Sequence, residues 1–419
     1  MHLLHHILGV LLLLSLRTPA SSAATDTVSP GHALADSDRL VSNNSKFALG
    51  FFKPSSESSS YTSNNSYLGI WFNKVPKLTP LWTANGDNPV MDPTSPELTI
   101  SSDGNLAILD KTTRSIIWST RANITANDSI AVLLNSGNLI LQSSSNSSNI
   151  FWQSFDHPTD TLFAGAKIGW DKVTGLNRRL VSRKNVIDQA PGIYSLELDL
   201  NGDGHLLWNS TVAYWSSGDW NIKGRYFSLA PEMIGAAMPN FTFVNNSQAQ
   251  EVYFTYTLHD ETAIVHTGID VFGRGLVGVW LDSIQNWLIN YRQPLHHCDV
   301  YAICGAFTIC SDTEDPLTPS CDCMKGFSIR SPKDWEIKDR TGGCMRNTPL
   351  GCGSSKEEKT GLTDKFYSVQ SIRLPHNAQD VQSATSGDEC SQVCLSNCSC
   401  TAYSYGKAVA LFGMMSCIM

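Results

Sequence analysis

At 419 residues the chain has room for two to four domains, and its 42% hydrophobic content suits a globular protein. Only 16% of residues are charged and the formal net charge is −8, which argues against a nucleic-acid partner, because phosphate binding needs a basic face. None of the twelve cysteines falls in the first 297 residues, so a front half held by burial precedes a back half held by crosslinks.

Residues 1–23 read as a signal peptide. The apolar run from Ile7 to Leu16 is too short to span a bilayer, and the small residues Ala20, Ser21 and Ala23 follow it, placing cleavage near Ala23. Histidines stand where Lys or Arg is usual. No later run is long and apolar enough for a membrane span, so the expected location is extracellular. That compartment gives meaning to the cysteines and to nine N-glycosylation sequons, at Asn43, Asn64, Asn123, Asn127, Asn146, Asn209, Asn240, Asn245 and Asn397.

From Asp26 to about Thr161 short apolar runs alternate with Ser, Asn, Gly and Pro clusters, an all-β pattern. LTISSDGNLAILD (98–110) and VLLNSGNLILQ (132–142) repeat one another, with Asn105 and Asn138 33 residues apart, and SNNSKFALGFF (42–52) is a weaker echo. Trp82, Trp118 and Trp152 keep a similar beat. One β-unit used three times predicts a pseudo-threefold prism or barrel in which each Trp is buried against the others; an ordinary β-sandwich is the alternative.

LVSNNSKFALGFF, LGIWF, LWTANGDNPV, DGNLAILD, NSGNLIL and FWQSFDHPTDTL together resemble the bulb-type lectin domain of plant S-domain receptor kinases, here over residues 24–155. The resemblance implies a β-prism of three four-stranded sheets. It also implies a mannose site on a Gln-x-Asp-x-Asn-x-Val-x-Tyr strand, whose alternate side chains share a face. The best copy here is Ser101, Asp103, Asn105, Ala107 and Leu109; the second is Leu134, Ser136, Asn138, Ile140 and Gln142; the third has Lys46 in the Asn place. Ser101, Asp103, Asn105 and Asn138 are therefore the candidate carbohydrate contacts. The competing role for Asp103 and Asn105 is closing an Asp-Gly hairpin turn.

Residues 156–293 continue as β, and WSSGDWNIKGRYFSLAPEM resembles the S-locus glycoprotein domain, so a second β domain is expected. Asp199, Asn201, Asp203 and Gly204 match half of an EF-hand loop, but Ser210 stands where the bidentate Glu belongs, and a hairpin turn is the expectation. Gly273-x-Gly275-x-x-Gly278 runs straight into another strand and is not a nucleotide loop. His157 and Asp160 in FDHPTDT form a tempting acid–base pair, yet a Pro turn explains them better.

Six cysteines in 294–344 are too dense for a core and suggest an EGF-like module with three bridges, for which the residues alone allow fifteen pairings. Zinc on His296, His297 and these thiols is the rival, disfavoured by secretion and by the lack of paired CxxC units. Resemblance to the EGF-like module implies Cys298–Cys310, Cys304–Cys321 and Cys323–Cys344. Residues 352–419 resemble an incomplete PAN/apple domain, which implies Cys394–Cys400 and Cys390–Cys417 and leaves Cys352 and Cys398 open. Kinase motifs, and with them any cofactor, are not found, so no enzyme activity is expected of this chain. The expectation is a mainly β, multidomain recognition module, of a receptor family that continues into a membrane helix and a kinase. Its expected partners are a protein or peptide ligand, a mannose-type glycan, or a second receptor in a homo- or heterodimer. A secreted decoy or co-receptor and a working mannose lectin are the alternatives.

Overall fold

The structure is a computed structural model that describes residues 25–55, 63–91, 96–124, 128–221, 226–234, 238–312, 318–349, 365–369, 379–381, 384–397 and 399–406, and the backbone of 407 and 415–418. The expected signal peptide, Asn127, Cys352 and Cys398 lie outside them. The chain divides into two units. The first comprises Met1–Gly305, Cys310–Cys321 and Ser331–Gly342; the second comprises Ala306–Ile309, Asp322–Arg330 and Gly343–Met419.

The first unit begins with three short strands, β1 (Thr27–Val28), β2 (Leu34–Ala35) and β3 (Arg39–Val41). Three meanders follow. They are β4 (Phe47–Phe52), β5 (Tyr67–Phe72) and β6 (Pro80–Thr83); β7 (Pro96–Ile100), β8 (Leu106–Asp110) and β9 (Ile116–Ser119); and β10 (Ser129–Leu133), β11 (Leu139–Ser143) and β12 (Ile150–Gln153). Each meander takes one short strand as its fourth, giving sheets β3-β4-β5-β6, β2-β7-β8-β9 and β1-β10-β11-β12. This is a prism of three four-stranded sheets, and its short strands are used in reverse order.

The repeat heard in the sequence has a structural cause. Leu68, Ile70, Leu106, Ile108, Leu139 and Leu141, on the middle strands, are fully buried in the common core. The three Trp rings meet edge to face, Trp82–Trp118 at 6.2 Å, Trp82–Trp152 at 6.0 Å and Trp118–Trp152 at 5.9 Å, a geometry set by the ring quadrupole. Each Trp sits on an edge strand beside a register slip. Ile70↔Trp82, Ile108↔Trp118 and Leu141↔Trp152 are the last regular pairs before the ladder shifts. A bulge bends its strand, here where the indole enters the core.

The middle of the chain is built in the same way, as a second prism. Its first strands are β13 (Thr161–Leu162), β14 (Ile168–Asp171) and β15 (Leu176–Arg178). Then come β16 (Leu180–Arg183), β17 (Pro191–Leu198), β18 (Gly204–Trp208) and β19 (Val212–Ser216), which form a sheet in that order. A small hairpin, β20 (Trp220–Asn221) and β21 (Tyr226–Phe227), precedes β22 (Asn240–Asn246) and β23 (Glu251–Thr257). The last strands are β24 (Val265–Ile269), β25 (Gly275–Leu281) and β26 (Asn286–Gln293). One sheet is β13-β24-β25-β26, again a short strand closing a later meander. The other, β15-β14-β23-β22, is two hairpins joined edge to edge. The register slip recurs beside Leu206↔Trp215 and Val277↔Tyr291.

The prisms share a tight seam. Phe47 packs on Phe163 at 5.8 Å and Phe72 on Trp287 at 6.1 Å. Trp82 Nε1 donates to the His157 carbonyl at 2.8 Å, and the Thr159 hydroxyl donates to the Leu81 carbonyl at 3.3 Å. A Cβ on Gly86 would lie 2.5 Å from the Gln189 carbonyl oxygen, so glycine alone fits there.

In the second unit, strands Phe327–Ile329 and Cys344–Arg346 pair, with Phe307 stacked on Phe327 at 4.6 Å. Further on, helix Gly387–Ser396 is capped by Ser386, whose side chain accepts from Glu389 N, while Glu389 accepts in return from Thr385 N at 2.6 Å. Cys390 and Cys394, one helical turn apart, are buried, and the helix accompanies a three-stranded sheet of Asp380–Val381, Met415–Ile418 and Ser404–Lys407.

Candidate functional site

The candidate sugar row begins at the β7–β8 turn. Ser101 N donates to Asn105 O at 2.8 Å and Gly104 N to Ser101 O at 2.9 Å, with Gly104 at φ 83°. The same turn recurs at Gly137, Gly202 and Gly273, with φ of 84°, 103° and 78°, a left-handed conformation that favours glycine. Asp103 works inside this turn. Its carboxylate accepts from the Ser101 hydroxyl, from Asn105 N at 3.1 Å and from Asn105 Nδ2 at 3.0 Å. The Ser101 hydroxyl, then the Asn105 backbone, hold its carboxyl below the usual carboxylate range.

Asn105 is 5% exposed, and its amide is engaged at both ends. Oδ1 accepts from the Thr120 hydroxyl at 2.8 Å and from Ala122 N at 2.7 Å. Nδ2 donates to Asp103 Oδ2 at 3.0 Å and to the Ala122 carbonyl at 3.3 Å. Ala107 and Leu109, next along the row, are buried. Asn138 repeats the arrangement: Oδ1 accepts from the Ser154 hydroxyl at 3.1 Å and Phe155 N at 3.2 Å, and Nδ2 donates to Gln153 at 2.9 Å. Both asparagines thus tie a hairpin to the chain leaving the edge strand. The partners of each stand 15 to 17 residues ahead, a repeated offset that a search for sugar-binding spacing passes over.

At the third position Lys46 Nζ crosses to the second prism and donates to the Glu261 carbonyl at 2.7 Å. Burial lowers its pKa, against the raising effect of Asp260 and Glu261. The residue that breaks the sugar pattern is a clasp on the seam.

This geometry separates two roles by experiment. Replacing Asn105 by Ala strands the buried Thr120 hydroxyl and the half-buried Ala122 N–H, at about 1–3 kcal/mol for a buried group left unsatisfied and less for the half-buried one. The expected result is a lower urea midpoint at unchanged slope; an unchanged midpoint would place Asn105 outside the framework.

The remaining sequence candidates also resolve into structure. Asp199 Oδ1 accepts from Asn201 N, Gly202 N and Asp203 N at 2.8, 2.8 and 2.9 Å, closing the β17–β18 hairpin. Asp199, Asp203 and His205 bring ligand atoms within 4.8 Å of one another, each half-buried. Gly273 closes the β24–β25 hairpin, where Gly273 N donates to Asp270 O at 3.1 Å. His157 stacks on Trp152 at 5.4 Å, and burial lowers its pKa, while Asp160, 3% exposed, pairs with Arg183 at 2.7 Å. These two residues have separate structural partners.

Four disulfides are formed among the described residues: Cys298–Cys310, Cys304–Cys321, Cys323–Cys344 and Cys394–Cys400. Cys390 is also disulfide-bonded, and the side chain of Cys417, its expected partner, lies outside the described residues. His296 lies 3.4 Å from Asp312, and His297 is buried with its ring 5.9 Å from Phe272. Asn43, Asn64, Asn123, Asn146, Asn209, Asn245 and Asn397 are exposed, whereas Asn240 is half-buried with its amide 3.2 Å from His259. No helix among the described residues is long and apolar enough to cross a membrane.

Comparison with known proteins gives the order of the parts. A D-mannose binding lectin model matches residues 79–184, an S-locus glycoprotein domain model residues 215–331 and a PAN-like domain model residues 352–419. Two G-type lectin S-receptor-like serine/threonine-protein kinases of Arabidopsis thaliana are 39% and 34% identical over 390 and 391 residues, each match covering 92% of this chain. The chain belongs to the G-type lectin S-receptor-like family. It spans 45% of the length of each of those two relatives, and this is their ectodomain part. Among solved structures, a lectin of Marasmius oreades is 16% identical and covers 32% of this chain and 92% of its own, at a TM-score of 0.23. The prism assignment in this G-type lectin ectodomain rests on its strand order, not on that likeness.

Proposed function

We propose that this chain is the extracellular recognition part of a receptor, which takes a protein or peptide ligand on its outer surfaces rather than mannose on the Ser101–Leu109 row. The observation that carries this reading is the Asn105 amide, whose donors and acceptor are already engaged within the fold. A sugar hydroxyl needs such groups open. The family relation supports a receptor role of the pollen-recognition or defence type, with a second receptor copy as a further partner. The exposed sequons support an extracellular location.

A mannose column tests the sugar part directly. The expected outcome is that the glycosylated protein flows through, as does the Asp103→Ala variant. Retention that free mannose reverses and that Asp103→Ala abolishes would make this a working mannose lectin instead.

A further inference from the structure

Behind the seam lies a buried polar chain that neither the fold repeat nor ligand recognition uses. His266, on β24, has Nε2 3.0 Å from the Thr161 hydroxyl on β13. That hydroxyl is 3.3 Å from Asp160 Oδ1, and Asp160 Oδ2 is 2.7 Å from Arg183 Nε on β16. The first prism touches this chain at two points. Thr159, beside Asp160, donates to the Leu81 carbonyl, and Trp287 packs at 5.8 Å on the His266 ring and at 6.1 Å on Phe72.

The charged groups acting on His266 are Asp160, preceding β13, and Arg183 of β16. β25 has no charged residue, Glu197 of β17 is paired with Arg179, Arg292 of β26 lies near Arg274, and Trp287 of β26 meets the ring as a neutral neighbour. The single negative charge of Asp160 is already matched by Arg183. A neutral imidazole satisfies Thr161 in either tautomer, but an imidazolium would be a second cation with no anion of its own. We infer that the seam between the two prisms is an acid-operated joint, with His266 as the group whose protonation opens it.

The ring is half-buried, and desolvation by the protein packed around it pushes its pKa down to about 4, with Asp160 opposing and Arg183 adding a little. The sign follows from linkage. An opened state whose histidine titrates near 6.5 binds more protons than the closed one, so protection is full above that pH and is lost as pH falls from 6.5 toward 4. Between pH 7.5 and pH 5.0 the opened population grows roughly 30-fold for those two values.

Hydrogen exchange of the full glycosylated chain at pH 7.5 and 5.0, corrected for intrinsic rates, reads this directly. Peptides covering β13 and β24 are expected to lose about 30-fold in protection at pH 5.0 while those covering β5 and β8 hold. His266→Gln should remove the pH dependence, and His157→Gln, at the other seam histidine, should retain it. An unchanged wild type, equal loss throughout both prisms, a persistent effect in His266→Gln, or its disappearance in His157→Gln would each overturn the proposal. Should His266→Gln not fold, His266→Asn serves in its place, and the wild-type pair of measurements already decides against the joint if protection does not change.

Discussion

Trp82→Ala should destabilise the first prism by about 3–5 kcal/mol, the range for deleting a large buried aromatic. Trp82 is 3% exposed, the most buried of the three central indoles, and stands edge to face with both others. Its removal empties the meeting point of the three sheets and also withdraws the N–H that holds the His157 carbonyl at the seam. A drop of roughly 10–20 °C in the melting temperature is expected. Trp82→Phe keeps most of the ring contact and loses the donor, so it should cost about 1 kcal/mol or somewhat more. Trp118→Ala, at a half-buried site, should fall between them. Equal melting of wild type and Trp82→Ala would show that the triad is not the core of the prism.

The second large effect belongs to the Cys304–Cys321 bridge. Its sequence separation is 17, and Cys304 is 4% exposed within the core of the first unit. Replacing both cysteines by serine frees an unfolded loop worth about 3 kcal/mol of chain entropy and buries a hydroxyl where sulfur packed. The expected readout is new tryptic cleavage between residues 298 and 342 with the first prism still folded. The Cys394–Cys400 bridge, with a separation of 6, should matter less, at about 2 kcal/mol. If the two double variants resist protease alike, loop entropy is not what these bridges supply.

How far the sequence could be read follows from which residues make the fold. In the first prism the repeated elements are visible side chains, Trp82, Trp118 and Trp152 and the Gly of two hairpins, Gly104 and Gly137, with Ser45 taking the same left-handed place in the third, so the threefold plan is legible. The second prism keeps the plan but not the spelling. Trp215 remains at its register slip, Tyr291 stands at the corresponding slip of another sheet, and the remaining sheet, rebuilt from two hairpins, has no slip at all. With one indole of three at these positions the period falls silent, and only "a second β domain" could be expected.

Asp103 and Asn105 carry the right types for a sugar and the right types for a turn, and local sequence does not separate those roles. Thr120 and Ala122, which decide it, arrive 15 and 17 residues after Asn105. Lys46 reads as a missing asparagine because its partner, the Glu261 carbonyl, lies 215 residues along the chain. A contact of that span has no local signature. His266 likewise looks like an ordinary strand residue until Thr161, Asp160 and Arg183 are brought around it.

The reversed use of the short strands bears on synthesis. Thr27 pairs with Val132, and Thr161 with Gly268, each about a hundred residues apart. Neither prism can shut until its last meander has left the ribosome, and pairing of such long span is slow. The first prism is complete once Gln153 has emerged, before the β23–β24 turn that Lys46 clasps exists. The emerging chain therefore passes through a stage in which Phe47 and Phe72 face solvent, and this is the interval in which a folding helper would have most to cover.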